Sequence, residues 1–359
     1  MLYHLLFPLS SLFSGFNVFR YITFRAIGAT LTAFIIIVLT TPGFIRFIQR
    51  QHFGQVVRND GPESHLSKQG VPTMGGLLIL LTITATTLLW VNLGNPYIWM
   101  LLGITLWFGL IGFVDDFRKI KQKNSHGLSP GGKMILQIIG ASAVGFFLYI
   151  HPGFDGHLSM PFFKNIRPDL GWWYIVFAVL VIVGASNAVN LTDGLDGLAV
   201  GPTVITSSVY LIFSYLTGHA VLAGYLQIPF IPGAGEVAVF CGALAGSSLG
   251  FLWFNSFPAQ IFMGDVGSLA LGGALGTVAI ITKQEILLAI VGGIFVMEAV
   301  SVILQVGFFK LSGGKRIFLM APFHHHFEKK GWAEPKVVVR FWIISIILGL
   351  VALATLKLR

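Results

Sequence analysis

Tyr97-Ile-Trp-Met-Leu-Leu-Gly-Ile-Thr-Leu-Trp-Phe-Gly-Leu-Ile-Gly-Phe-Val-Asp-Asp-Phe-Arg118 decides the fold class. Residues 97–114 carry no charge, and a helix over them rises nearly the thickness of a bilayer's hydrocarbon core. Two acids and a basic run follow at once. Comparable apolar stretches recur along the whole chain, near 22–49, 74–94, 97–114, 134–151, 172–190, 198–217, 236–255, 264–282, 286–309 and 338–356. Ten such spans with short loops use nearly all of the 359 residues. The reading is an all-α polytopic membrane protein forming one domain over 1–359, with residues 1–21 weakly amphipathic and lying on the surface.

The composition agrees. Hydrophobic residues make up 55% and charged residues 10%, with a mean hydropathy of +0.82. A soluble domain carries about 25% charged residues, so a soluble enzyme and a disordered chain are both excluded. The 43 glycines lack a period of three and prolines number only 15, which removes collagen. The single Cys241 leaves no intrachain disulfide and no cysteine-based metal site. The first residues lack the basic region and small-residue cleavage site of a secretory signal.

The net charge of +9 does not point to nucleic acid, because the basic residues gather in a few loops between apolar spans. Counted by alternate sides, 16 of the 23 Lys and Arg fall on one side and 7 on the other. The positive-inside rule makes the richer side cytoplasmic and both termini periplasmic. The inner loops then run near 50–73, 115–133, 191–197, 256–263 and 310–337. Nine of the 14 acids lie in or beside these loops. Ionisable groups at the edge of a span are costly and mark function by default.

Each acidic motif has a plain reading beside the functional one. Asp115 and Asp116 end an apolar helix, where they oppose the macrodipole and each other and so want a cation; such a pair can also be a solvated helix end. Asn190-Leu-Thr-Asp-Gly-Leu-Asp-Gly197 sets Asn190, Asp193 and Asp196 three apart, on one face if helical, or forms a polar glycine-rich turn. Asp265, in Phe262-Met-Gly-Asp-Val-Gly-Ser268, starts a span between glycines and can be a helix cap. Five acids on one face, without a lysine beside each, suit a hard divalent cation such as Mg²⁺, which takes oxygen ligands and substrate phosphates. No basic residue stands within fifteen sequence positions of Asp265.

Met320-Ala-Pro-Phe-His-His-His-Phe-Glu328 holds three consecutive histidines. On a helix they fan out by about 100° each, so they cannot all ligate one metal; one or two are expected to face phosphate while another supports the loop. Residues 58–76 form a polar loop running into a helix N-terminus, a place that binds anions, with Lys68 and Thr73 assisting. Most of the lysines at 119–133 are expected to set topology. Glu298 and Gln305 lie seven apart on nearly one helix face, Gln305 toward the histidine loop; Glu298 can equally be satisfied by another helix.

Together, Gly112-Phe-Val-Asp-Asp-Phe117, residues 190–197, residues 262–268 and the triple-histidine motif resemble the bacterial phospho-N-acetylmuramoyl-pentapeptide-transferases. The likeness extends to Phe53–His65 and to Arg340-Phe-Trp-Ile-Ile-Ser345, and so covers essentially the whole chain. The acidic motifs alone are shared with the wider polyprenyl-phosphate sugar-1-phosphate transferases; the histidine motif is the more specific. The resemblance implies transfer of phospho-MurNAc-pentapeptide from UDP-MurNAc-pentapeptide to undecaprenyl phosphate, giving lipid I and UMP, with Mg²⁺. It implies ten spans in the bacterial inner membrane, a cytoplasmic active site, a broken or bent ninth helix, contact with membrane lipids and a homodimer. By carry-over, Asp115, Asp116, Asp265 and His324 are catalytic and Asp265 ligates the metal. The uridine pocket comprises Asp193, Gly194, Leu195, Asp196, Asn255 and Phe262, with the phenyl ring on uracil. Lys68, Thr73, Asn190, Gln305 and His325 surround the nucleotide and sugar phosphate. Two rivals remain at this stage: a related transferase using UDP-GlcNAc, and an ion-coupled transporter, whose acids would sit nearer the midplane.

Overall fold

A computed structural model describes residues 1–50, 70–122, 127–163 and 166–357. Among these the chain is helical, with one isolated bridge between His157 and Asp169 and no strand. A short α1 (Leu2–Leu6) and two 3₁₀ turns lead to α2 (Ile22–Arg50), α3 (Gly76–Trp90), α4 (Pro96–Gln122), α5 (Pro130–Ile150), α6 (Trp173–Thr192) and α7 (Val200–Thr217). After the small α8 (Ala220–Leu226) come α9 (Gly235–Asn255), α10 (Gly264–Ile281), α11 (Glu285–Val291), α12 (Gly293–Leu311), α13 (Phe323–Lys329) and α14 (Glu334–Ala354). All ten expected spans correspond to helices, and nine of the described helices are long and apolar enough to cross a membrane.

One span departs from expectation, the second, while the ninth shows the break that the resemblance implied. The second is 15 residues rather than about 20, roughly 22 Å at 1.5 Å per residue. It is short because its polar flanks are used elsewhere. Residues 72–76 pair with Phe262 and Met263, through Phe262 N to Pro72 O, Gly75 N to Phe262 O and Gly76 N to Met263 O, each 2.8 Å. The ninth divides at Gly292 (φ −88, ψ 23) into α11 and α12. The Gly292-Gly293 pair weakens the helix there, and α14 fills the space, since a Cβ on Gly293 would meet Leu348 at 2.7 Å.

Between apolar helices in lipid, close packing rather than water exclusion supplies the attraction, and small residues permit it. The most buried spans are α9 and α10, and both are rich in glycine. Along α9, Cβ atoms on Gly242 and Gly246 would lie 2.6 and 2.1 Å from the Ala26 and Thr30 carbonyl oxygens of α2. Along α10, Gly272 and Gly276 meet the α6 backbone and Gly273 meets Phe108 of α4. Leu31, Leu39, Ile135, Leu180, Trp253, Ile303 and Leu350 face outward, where hydrocarbon would surround them.

Alternation of the spans sorts their ends into two layers. The C-terminal ends of α4, α6 and α9 meet the N-terminal ends of α3 and α10 in one layer. In the opposite layer Arg25 of α2 is buried against Glu236 of α9, with Nη1 to Oε2 at 2.7 Å and Nη2 to Oε1 at 2.5 Å. The Asn92 backbone N–H donates to the same carboxylate at 2.9 Å. The acids singled out in the sequence lie in the first layer.

Candidate active site

Asp115 and Asp116 sit on the last turns of α4, and Asp265 is the second residue of α10. Two glycines let these helices meet. A Cβ on Gly112 would stand 2.2 Å from the Asp265 carbonyl oxygen, and one on Gly264 would stand 2.6 Å from Asp116 Oδ2. Gly264 also holds φ +74, a conformation that favours glycine. The result is three carboxylates that bring one oxygen each within 4.8 Å of one another.

Each carboxylate is fixed by a different element. The Val266 N–H donates to Asp116 Oδ2 at 3.2 Å, and the Leu128 N–H donates to Asp115 Oδ1 at 2.8 Å. Asn190, on the last turn of α6, donates from Nδ2 to Asp265 Oδ1 and to Ser268 Oγ, both at 2.8 Å. Asn190 thus joins Asp265, whereas its spacing had grouped it with Asp193 and Asp196, which lie beyond the end of α6.

The expected absence of basic partners is corrected by the structure. Lys133 Nζ, from the first turn of α5, lies 2.6 Å from Asp265 Oδ2 and 3.6 Å from Asp115 Oδ2. Lys119 Nζ lies 2.5 Å from Asp115 Oδ2, 3.1 Å from Asp265 Oδ2 and 3.6 Å from Asp116 Oδ1. These two lysines belong to the site rather than to topology alone. Lys119 was legible in sequence at the i+4 position from Asp115. Lys133 was not, because it arrives only when α5 folds back. Three clustered carboxylates that draw two ammonium groups have the donor set of a hard-cation site, and the residues fit that group.

Thr73 stands beside this cluster: a Cβ on Gly264 would approach its hydroxyl to 3.2 Å. Lys68 lies outside the described residues. The turn after α6 carries Asp193, which ends the helix, then Gly194, Leu195 and Asp196. Leu195 is buried in an apolar cluster with Leu198, Ile294, Val337 and Phe341. Asp196 Oδ2 accepts from the Ala259 N–H at 2.9 Å, and its own N–H donates to Glu334 Oε1 at 2.8 Å. Asn255 bridges the same region: Oδ1 accepts from Gly197 N–H at 3.1 Å and Nδ2 donates to Ile261 O at 2.8 Å. Asp196 and Asn255 thereby hold the 193–197 turn against 255–261. Phe262 is half-buried, with both its backbone groups committed to residues 72–75.

The three histidines occupy α13, a short helix where a loop was expected, and they take different partners, although the His324 and His325 rings lie side by side with centroids 4.1 Å apart. His324 is fully buried and faces Gly194, where a Cβ would stand 2.3 Å from its Nε2. His325 Nδ1 pairs with Glu328 Oε2 at 2.6 Å. His326 stacks on Phe323, and its Nδ1 accepts from the Leu319 N–H at 3.1 Å. Burial, then the charge of Lys330, lowers the His326 imidazole below its ordinary pKa. Gln305 does reach the neighbouring loop: Oε1 accepts from Ile317 and Phe318 N–H at 3.1 and 2.9 Å. His324 and Gly194 are therefore brought together with the acidic layer, while Gln305 and His326 shape the 312–322 connection.

The sequence profile of glycosyl transferase family 4 matches residues 98–283, which span α4 to the end of α10 and include all three clustered aspartates. A phospho-N-acetylmuramoyl-pentapeptide-transferase of Desulfotalea psychrophila is 70% identical over the full length of both chains. Enzymes of the same name from Pelobacter propionicus and Syntrophus aciditrophicus are 62% and 60% identical, again end to end. The chain belongs to the phospho-N-acetylmuramoyl-pentapeptide-transferases of glycosyl transferase family 4.

Proposed function

We propose that the chain joins phospho-MurNAc-pentapeptide, carried by UDP, to undecaprenyl phosphate in the bacterial inner membrane, releasing UMP and forming lipid I. The observation that carries this reading is the three-aspartate cluster, one oxygen from each within 4.8 Å of the others, at the ends of apolar helices. A soluble nucleotide sugar and a lipid-borne phosphate can meet only at such a boundary. Full-length relatives bearing the transferase name support it.

In this reading an oxygen of the lipid phosphate attacks the sugar-bearing phosphorus of the donor, and the bond to the UMP oxygen breaks. That nucleophile is already largely ionised, since a phosphate monoester's second pKa is about 6, so no strong base is required and direct attack is favoured over a phospho-aspartyl intermediate. Asp265, with Asp115 and Asp116, would hold Mg²⁺, which supplies charge neutralisation on the donor diphosphate. Lys119 and Lys133 bring further positive charge to the same place. Asp115 or Asp116 orients the lipid phosphate. Asp193 and Gly194 flank the uridine, Phe262 stacks on uracil, and Thr73 and Asn190 bound the phosphates with Lys68. His325 and Gln305 line the sugar side. The chain works as a homodimer with its site facing the cytoplasm.

The deciding experiment measures UMP release by purified protein from UDP-MurNAc-pentapeptide, with and without undecaprenyl phosphate. Release only with the lipid, lost on chelation and restored by Mg²⁺, is expected. Release without lipid, or preference for UDP-GlcNAc, refutes the assignment.

A further inference from the structure

Glu298 is the sole acid of α12 and its side chain is fully buried. Both carboxylate oxygens face the backbone N–H of His324, at 3.2 and 3.4 Å, and Oε2 stands 3.2 Å from His324 Nδ1. One carboxylate thus grips one histidine by its main chain and by a ring nitrogen. The opposite nitrogen, Nε2, is buried with no hydrogen-bond partner among the described residues and is turned onto Gly194. There is no room at Gly194 for any side chain to take it. The nearest structure is the Asp193–Asp196 turn that ends α6.

A buried acceptor close to one imidazole nitrogen decides which nitrogen carries the proton and how the ring is turned. The Nδ1 contact lacks the alignment of a finished hydrogen bond, and such contacts tighten once a ligand engages the other nitrogen.

We propose that Glu298 is a positioning residue for His324. It places the proton on Nδ1 and aims Nε2 across Gly194 toward the donor nucleotide. The proposal rests on the transferase reading above, and it assigns Glu298 no contact with substrate.

A double-substitution cycle tests it, using full-length protein in detergent with the muramyl nucleotide and undecaprenyl phosphate. Glu298→Gln should lower kcat about 10- to 100-fold, the usual effect of losing such a supporting carboxylate, with both KM values nearly unchanged. His324→Gln should cost at least as much. The double variant should lose no more than His324→Gln alone, because Glu298 acts only through that ring. Losses that multiply, or a rise in KM with kcat kept, overturn the proposal. If Glu298→Gln fails to give a cooperative melt, Glu298→Asp enters the same cycle under the same criterion, since it keeps the charge and withdraws it by one methylene. Failure of the wild-type protein to release UMP with lipid would refute the transferase reading instead, so the two failures are distinct.

Discussion

At the residue scale the site is a matter of charge held at close quarters. Three carboxylates converge within 4.8 Å and two lysines keep them from repelling one another. Asp265 is the member touched by both ammonium groups and by Asn190, which makes it the hub. Asp265→Asn preserves shape and removes one charge; turnover should vanish while the melting temperature holds. Turnover against magnesium concentration, measured beside a thermal melt, checks this, and near-normal activity with an unchanged magnesium midpoint would place the metal elsewhere. Phe262 has its backbone anchored and its ring half-exposed. If the ring stacks on uracil, Phe262→Ala should weaken UMP binding by about 1–3 kcal/mol, the range for base–aromatic stacking. Calorimetry on the folded variant reads the loss directly, and unchanged affinity rejects the stacking role.

At the element scale, helices meet where glycine lets backbones touch and where buried charges are matched. The Arg25–Glu236 pair fastens α2 to α9 in the layer opposite the active site. Glu236→Leu leaves a buried guanidinium without its carboxylate, a change that costs about 3–5 kcal/mol. The expected outcome is a lower melting temperature with the magnesium dependence of the surviving activity unchanged. Lys283, in the turn between α10 and α11, is packed over the Phe154 and Tyr174 rings and donates to the Asp155 carbonyl. Burial lowers its pKa to about 8, although Glu285, Asp155 and Asp169 pull the other way. Below pH 8 folded and unfolded chains both carry the ammonium, and the folded state bears its full burial cost. Between about pH 8 and the ordinary lysine value the folded state binds fewer protons, so stability rises with pH. Wild type should therefore gain melting temperature relative to Lys283→Met between pH 7 and 10; parallel curves would show that this amine is not the titrating group.

At the scale of the whole molecule, ten apolar spans were legible because each announces itself within its own window. The acid cluster was legible as two motifs on one side, with Asn190 of a third beside them. What the sequence hid was pairing between distant segments. Lys133 reaches Asp265 across 132 positions, and the grip of Glu298 on His324 crosses 26; neither follows from periodicity. The shortening of α3 was hidden too, since it answers to residues 262–263; the break of the ninth span was expected from the resemblance, but its seat at Gly292, packed beside Leu348, was not. The 16-to-7 bias of basic residues predicts an orientation that labelling can test. With Cys241 replaced by serine, Lys315→Cys should react with a membrane-impermeant maleimide only in inverted vesicles, and His157→Cys only in intact cells. The reverse pattern would invert the protein.

The position of Lys119 has a bearing on how such a chain is made. Helix α4 leaves the ribosome long before α10, and Lys119 stands 146 positions ahead of Asp265. Through that interval Asp115 and Asp116 must enter the bilayer's edge without the helix they will later face. Lys119, one turn onward on the same helix, answers them from the outset. When Asp265 arrives, the same ammonium is already standing at the place it must occupy. Newborn chain and finished enzyme thus share one counter-ion, inherited rather than exchanged during assembly.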